Sequence, residues 1–353
     1  MTPRQGRALE LARGLGADGV LAAHPATVTW LTGFEVDIES GPSPFALSPL
    51  AVLAANGPPI LVVSEDDAGA AEELGCEVVS YPGFTTEPLD RVGGAARALA
   101  TAGEGRTLAS EPGAVPLALA GELALVDASV ELARARAVKD PDEVEHLRGA
   151  LELCDVGQRE ARARAEAGRT ELELWALIRG AMEQAAGRRL PLVADLASGE
   201  RTGETGGAPG ERVLAEGDLV ICDLVPRLAG YWGDSCTTLA VGAPTESAQA
   251  KHRRVRDALA RGLEAVRPGL LAGEIDALVR EGLEYPHHSG HGLGAAWHEE
   301  PRIVPGSETV LEPGMVVALE PAAYSEGEGV RLEHVALVTD DGCEVLSRFS
   351  LDL

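Results

Sequence analysis

Two segments in the second half of the chain repeat one pattern, and this repeat constrains the fold more than any other feature. Each begins at a turn that ends in glycine, continues as a short apolar run and stops at an acid, Asp223 in the first segment and Glu320 in the second. Short apolar runs with these boundaries are typical of buried strands. A glycine-containing turn and a second acid follow in each case, Asp234 and Glu333. The repeat predicts two hairpins, each with one acid per strand at the same end, that pool four carboxylates.

These acids need a compensating partner. A buried carboxylate is unfavourable unless it is paired or bound to a metal ion, and a fifth potential ligand, His291, lies in a glycine-rich turn between the two segments. Four carboxylates and one imidazole form an oxygen-rich donor set that suits two divalent ions sharing bridging carboxylates. The alternative is that each acid lies at a strand end and reaches water. That explains a single acid more readily than all five residues together.

Composition limits the classes of function. The 353 residues suffice for two domains, each with its own core. Thirty basic against fifty-six acidic residues give a net charge of -26, which repels nucleic acid and anionic membranes. The chain has no apolar run of about 18 residues and no signal-peptide core, so we expect a cytoplasmic protein. The five cysteines are scattered without paired spacing, which favours reduced thiols over disulfides.

The pattern of predicted elements changes near residue 135. Residues 1–135 alternate helices and strands, as in an α/β domain, and residues 136–353 alternate helices with hairpins, as in an α+β domain with a curved antiparallel sheet. In the first part, Val28 to Leu31 is predicted as an extended segment. At the start of the second, Asp140 is predicted to cap a helix in which Glu143 closes a capping box.

Several motifs together resemble the pita-bread metallopeptidases, and within them the Xaa-Pro peptidases, prolidase and aminopeptidase P. Creatinase is a related branch that works without metal. The resemblance covers nearly the whole chain, and it implies a creatinase-like amino-terminal domain, a pita-bread catalytic domain and a homodimer. The motifs are Leu31–Phe34, Ala137–Glu145, Gly217–Asp223, Gly230–Asp234, His287–Gly294, His298–Ile303, Ala318–Pro321 and Val330–Glu333.

The resemblance implies a role for each proposed ligand. Asp223 would bind one metal ion, and His291 and Glu320 would bind the other. Asp234 and Glu333 would bridge the two ions. Manganese is the expected metal, with cobalt and zinc as alternatives. A hydroxide between the ions would attack the scissile amide without a covalent intermediate.

Glu320 and two further residues have implied catalytic roles. Glu320 would carry a proton from the attacking water to the leaving nitrogen. His298 and His287 match two family histidines that line the substrate site and stabilise the tetrahedral intermediate. The alternative for each histidine is a structural hydrogen bond in a turn.

Three residues are candidates for substrate binding. Arg331 lies two positions before Glu333 on the same strand face, where it would hold a ligand in register or bind a substrate carboxylate. Arg302 matches a position that contacts the substrate carboxylate in some prolidases, and a solvated arginine at the rim is an equal alternative. Trp297 replaces a smaller aliphatic residue of the family and would narrow or floor the pocket.

One departure from the family affects specificity. Gly206 stands where Xaa-Pro peptidases carry a histidine that contacts the substrate. We therefore expect a dinuclear exopeptidase that hydrolyses dipeptides or short peptides, with Xaa-Pro bonds favoured but selectivity weakened. The alternatives are a creatinase-like or ectoine-hydrolase-like enzyme acting on a non-peptide carbon–nitrogen bond and, third, a non-catalytic binding protein. The complete ligand set argues against both a metal-free mechanism and a loss of catalysis.

Overall fold

Two units make up the chain, Met1–Arg136 and Ala137–Leu353. The structure is a computed structural model, and it describes residues 1–39, 43–55, 57–86, 88–103, 105–121 and 123–353. Among these residues, no helix is both long enough and apolar enough to cross a bilayer.

The first unit is a mixed six-stranded sheet with helices. The strands run in the order β4-β3-β2-β1-β5-β6, with β1 antiparallel to β2 and parallel to β5. Alternate residues of β1 enter different apolar clusters, because Val20 packs in one with Trp30 and Leu21 in the other with Leu99. The strands are β1 (Gly19–Ala22), β2 (Leu50–Ala54), β3 (Ile60–Ser64), β4 (Glu77–Tyr81), β5 (Thr107–Ser110) and β6 (Ala124–Asp127). The helices are α1 (Pro3–Gly14), α2 (Pro25–Thr32), α3 (Glu65–Glu72), α4 (Arg91–Gly103), α5 (Leu117–Ala120) and α6 (Ser129–Ala137).

The extended conformation predicted for Val28 to Leu31 is wrong, because these residues lie in α2. Pro25 occupies the first turn of this helix, and the His24 side chain accepts a hydrogen bond from a backbone N–H at its start. Gly33 ends the helix in the left-handed region, at a φ of 76°. These signals at both ends outweigh the strand preference of the β-branched residues between them.

The second unit combines four helices with three sheets. One sheet has the order β10-β8-β7, with β9 paired to β8; the second is β12-β11-β13-β16-β17, and the third is the pair β14-β15. The helices are α7 (Pro141–Arg164), α8 (Glu171–Ala186), α9 (Glu246–Ala265) and α10 (Ala272–Arg280). The strands are β7 (Leu192–Ser198), β8 (Leu219–Leu228), β9 (Tyr231–Trp232), β10 (Cys236–Ala240), β11 (Gly290–Gly292), β12 (Glu299–Ile303), β13 (Val316–Leu319), β14 (Ala322–Ser325), β15 (Glu328–Arg331), β16 (His334–Val338) and β17 (Cys343–Val345).

The predicted capping box at the start of α7 is confirmed. Asp140 is the N-cap, and its backbone N–H donates to Glu143 Oε2 at 2.9 Å. This arrangement satisfies backbone donors that a helix leaves free at its first turn. The buried face of α7 includes Leu147, Leu151 and Cys154.

Two antiparallel strand pairs position the four acids. Asp223 lies within β8, opposite Cys236 of β10, and Asp234 lies just before β10. Glu320 directly follows β13, and Glu333 directly precedes β16, the antiparallel partner of β13. The Glu333 backbone N–H donates to the Cys236 carbonyl at 2.9 Å, so the two pairs are joined beside the acids.

Candidate metal centre

Three acids form a carboxylate cluster, the partly buried Asp223 and the buried Asp234 and Glu333. One oxygen from each lies within 4.8 Å of the others. Asp223 Oδ1 and Glu333 Oε1 are buried and have no hydrogen-bond partner among the described residues. Because an unpaired buried carboxylate oxygen is costly, these two atoms fit the direct ligation of a cation. The donors are all hard oxygen ligands, as divalent ions such as manganese prefer.

The electrostatics of the carboxylate cluster support the same conclusion. Burial raises the pKa of Asp223 to about 6, and Arg331 opposes this rise. Burial and the neighbouring carboxylates raise the pKa of Asp234 and Glu333 well above the usual range. The ionised cluster is therefore unfavourable unless positive charge compensates it.

Three imidazoles form a histidine cluster on the facing wall, His288, His291 and His298. One nitrogen from each lies within 4.8 Å of the others. His291 Nε2 is 3.5 Å from Asp234 Oδ2 and 3.5 Å from Glu320 Oε1, so it borders the carboxylate cluster. Its Nδ1 lies 3.0 Å from the Gly292 carbonyl, a contact that fixes the ring and leaves Nε2 as the ligating nitrogen.

Glu320 differs from the other acids. His288 Nε2 lies 2.8 Å from its Oε1. Burial alone would raise the pKa of Glu320, but this hydrogen bond and the nearby His291 hold it at about 2. Glu320 is therefore ionised at neutral pH, as ligation of a cation requires.

His287 and His298 occupy different settings. His287 Nε2 lies 3.1 Å from the Tyr324 hydroxyl, and its backbone carbonyl accepts from Arg280 Nη2 at 2.7 Å. His298 is exposed to the cavity, with its ring centroid 4.1 Å from that of His291. Partial desolvation and the adjacent imidazoles lower the pKa of His298 to about 4. Both histidines line the cavity, where their lowered pKa values make them neutral at pH 7.

The Arg331 side chain is fully engaged with the protein. Nη2 donates to Asp223 at 2.6 Å and to Asp195 at 3.2 Å, while Nη1 donates to Tyr324 and to the Thr205 carbonyl. Nε donates to the Cys236 sulfur at 3.3 Å. Of the two roles predicted for Arg331, these contacts favour holding Asp223 in register over binding a substrate carboxylate.

The two clusters enclose a cavity of about 380 Å³. Trp297 lines it and packs edge-to-face on Trp232, with ring centroids 5.5 Å apart. Arg302 is exposed in β12, opposite His291, and is not among the lining residues. The lining residues are Val193, Asp195, Thr205, Asp223, Val225, Asp234, His287, His288, His291, Trp297, His298, Glu320, Arg331 and Glu333.

Two titratable residues of the cavity, Asp195 and His288, are not predicted from the sequence. Asp195 interrupts the apolar strand β7 as Asp223 interrupts β8, so the same criterion would have found it. His288 directly follows His287, and both rings line the cavity, but only His287 matched a position of the family.

Comparison with known proteins gives consistent matches to both halves of the chain. Residues 145–340 match metallopeptidase family M24, and residues 4–138 match the creatinase/prolidase N-terminal domain. The chain is 32% identical over 241 residues to a putative dipeptidase, YkvY, of Bacillus subtilis, and 32% identical over 226 residues to an Xaa-Pro dipeptidase of Pyrococcus furiosus. These alignments cover 66% and 62% of this chain and just under two thirds of each relative, 66% and 65%.

Solved structures extend the similarity over nearly the full length. A prolidase from Pyrococcus furiosus is 25% identical, with a TM-score of 0.82, and the match covers 97% of this chain and 99% of that one. The dipeptidase PepE from Mycobacterium ulcerans is 27% identical, with a TM-score of 0.80, covering 99% of this chain and 96% of that one. The fold class predicted from sequence, a creatinase-like α/β domain followed by an α+β pita-bread domain, is confirmed.

Proposed function

Since this chain belongs to metallopeptidase family M24, we propose that it hydrolyses dipeptides or short peptides, with Xaa-Pro bonds as the favoured class. The observation that carries the proposal is the pair of buried, unpartnered oxygens, Asp223 Oδ1 and Glu333 Oε1, beside the histidine cluster. A donor set of this kind fits a dinuclear centre better than a structural network, which would satisfy its own polar atoms.

Five residues would hold two divalent ions per chain. Asp223 would bind one, His291 and Glu320 the other, and Asp234 and Glu333 both. Manganese suits the oxygen-rich set, with cobalt and zinc as alternatives. When bound, such ions polarise a carbonyl group and lower the pKa of an attacking water.

Glu320 is the residue that we assign to proton transfer. Its carboxylate is ionised, so it accepts a proton from the attacking water and delivers it to the leaving nitrogen. His288 engages Oε1, and we therefore assign the transfer to Oε2. An amide at this position would have neither the basicity nor the charge that the step requires.

His298 and His287 are assigned to the developing negative charge on the carbonyl oxygen. Each neutral imidazole carries one N–H, and His298 is exposed to the cavity where a substrate would lie. His287 is held more firmly, because its Nε2 lies 3.1 Å from the Tyr324 hydroxyl and its Nδ1 lies 2.7 Å from the His288 carbonyl. His298 is thus the better placed of the two to meet the substrate directly.

The size of the cavity supports short substrates. Its volume of about 380 Å³ lies at the lower end of the range for small-molecule sites. Trp297 fills part of the wall beside His298 with a large ring, which limits the space for longer chains. The homodimer is a further proposal, which static light scattering of the purified protein would test.

A substrate panel tests the proposed function. Protein loaded with manganese would be incubated with Xaa-Pro and other dipeptides, tripeptides, and guanidino and amidine compounds, with products identified by mass spectrometry. We expect cleavage of short peptides, which chelation abolishes and manganese restores. Cleavage of the guanidino or amidine compounds alone would contradict the proposal.

A further inference from the structure

Asp195 is an acid that the proposed metal centre does not use. It lies in β7 directly opposite Asp223 in β8, so the two side chains share one face of the sheet. Like charges at directly opposed positions are destabilising. Arg331 offsets this repulsion, because Nη2 contacts Asp223 at 2.6 Å and Asp195 at 3.2 Å. One guanidinium is therefore shared by two carboxylates.

The Asp195 carboxylate is held in place but open to the cavity. Its Oδ1 accepts a hydrogen bond from the Gly207 backbone N–H at 3.0 Å, and its Oδ2 accepts from Arg331. The side chain keeps 38% of its surface exposed, against 15% for Asp223 and 7% for Asp234. Each carboxylate oxygen accepts more than one hydrogen bond, so a ligand donor has room to bind.

Gly206 is required by the position of Asp195. A Cβ atom at residue 206 would lie 2.1 Å from Asp195 Oδ2 and 2.8 Å from its Cγ. The backbone there is not in the left-handed region, so the need for glycine comes from space alone. The carboxylate of Asp195 fills the volume into which any side chain at residue 206 would project.

We propose that Asp195 is a specificity residue that binds an ammonium group of the substrate beside the metal centre. This inference depends on the proposed function, because it places the ligand in the same cavity. The fixed, partly exposed and only partly compensated carboxylate is suited to a charge-assisted hydrogen bond with a cation. The ammonium comes either from the free α-amino group of the peptide or from a lysine-type side chain, and the two sources require separate probes.

Binding of non-hydrolysable probes tests the inference independently of turnover. Titration calorimetry on the manganese-loaded protein would compare alanine hydroxamate with propionohydroxamate, which lacks the α-amino group. A second pair, Nα-acetyl-lysine hydroxamate and Nα-acetyl-norleucine hydroxamate, differs only in the side-chain ammonium. In one of the two pairs, we expect the probe with the ammonium group to bind about tenfold or more tightly than its uncharged counterpart. This difference in affinity is the one expected for a single charge-assisted hydrogen bond.

The variant Asp195→Asn keeps the shape and an acceptor oxygen but removes the charge. We expect it to lose the preference for the charged probe, while Glu204→Gln, an exposed acid in the same loop, retains it. Metal content measured on each variant separates a loss of binding from a loss of metal. If Asp195→Asn still prefers the charged probe, the inference is wrong. It is also wrong if the parent protein binds all four probes equally or binds none of them.

The variant Gly206→Ala gives a second test that leaves the charge in place. Its Cβ would force the Asp195 carboxylate out of position, so we expect the same loss of preference as in Asp195→Asn. Gly180→Ala is the matched control, because a Cβ there meets nothing within 4 Å. An unchanged preference in Gly206→Ala would contradict the assignment of the ammonium site to Asp195. Peptide hydrolysis by the parent protein, measured separately, reports on the proposed function rather than on this inference.

Discussion

The carboxylate cluster and the histidine cluster line the same cavity, but the pKa values of side chains in the two clusters are shifted in opposite directions. Asp234 and Glu333 have raised pKa values because burial and mutual repulsion disfavour their ionised forms. His298, by contrast, has a pKa lowered to about 4, and Glu320 beside His288 has one near 2. On the histidine side, the hydrogen bond from His288 and the nearby His291 compensate the burial of the Glu320 carboxylate. The carboxylate side is the part that depends on added cations.

The largest effect is expected from removing a shared acid. Asp234→Ala and Glu333→Ala should each empty both metal positions, because each removes a ligand common to the two ions. Activity should fall by about a thousandfold or more, since the enzyme loses its electrophile. Elemental analysis of the reconstituted parent should give two ions per chain, and a parent with one ion or none would contradict the dinuclear assignment.

Glu320→Gln tests the residue that borders both clusters. The amide neither ligates as strongly nor accepts a proton, so turnover should be largely abolished. Metal content should fall less than in Asp234→Ala, because Glu320 is assigned to a single ion. Rates and metal content measured on the same preparations would check this, and near-parental turnover would refute the proton-transfer role.

His298→Ala separates chemistry from metal binding. The variant should keep its metal and lose about a hundredfold in kcat, as expected for removal of one group that stabilises an oxyanion. Metal analysis and steady-state kinetics measured together would detect this difference. Activity equal to that of the parent would show that His298 has no catalytic role.

The pH dependence of stability should differ between metal-free and metal-loaded protein. Folding raises the pKa values of Asp223, to about 6, and of Asp234 and Glu333. The folded state therefore binds more protons than the unfolded state above the normal carboxyl range, and stability falls as pH rises through that window. Histidines with lowered pKa values, among them His287, His291 and His298, oppose this trend below about pH 7. Melting temperatures between about pH 7 and pH 8, above that range, should therefore decline without metal and decline less with manganese. A flat profile in the metal-free protein would contradict the carboxylate assignments.

Substitution of Gly206 is expected to change metal content least. It should instead change substrate specificity. We expect Xaa-Pro selectivity in the parent to be weaker than in a histidine-bearing relative. Gly206→His should shift relative rates across a dipeptide panel, but its Cβ would collide with Asp195. The double variant with Asp195→Ala removes that collision and should accept the new ring better. Strict Xaa-Pro selectivity in the unmodified protein would count against this prediction.

The sequence predicted those features that depend on local pattern. Apolar runs that end in an acid indicated β8 and β13, and the capping box at Asp140 indicated the start of α7. The structure brings Asp223, Asp234, His291, Glu320 and Glu333 around one cavity, while their roles as ligands stay a prediction. The fold class followed from the family motifs rather than from periodicity alone.

The features that sequence did not predict depend on contacts between distant segments. Nothing local shows that Asp195 faces Asp223 across a strand pair, or that Arg331 lies between them. The β-branched residues of α2 favour an extended segment by local preference, and the end signals at Pro25 and Gly33 outweigh them in the structure. Arg302 shows that a motif match is not sufficient either. Its position matches the family motif, but its side chain is not part of the cavity wall.

The loop that carries Trp297 and His298 is anchored by a buried ion pair. Lys139 Nζ lies 2.8 Å from Glu299 Oε2, and Glu299 Oε1 accepts from the Ala296 backbone N–H at 3.0 Å. The two charged residues are 160 positions apart in sequence and almost fully buried. Removal of either residue alone would leave the other as an unpaired buried charge, which is strongly destabilising. The order of the wall that carries Trp297 and His298 therefore depends on a residue at the start of the unit.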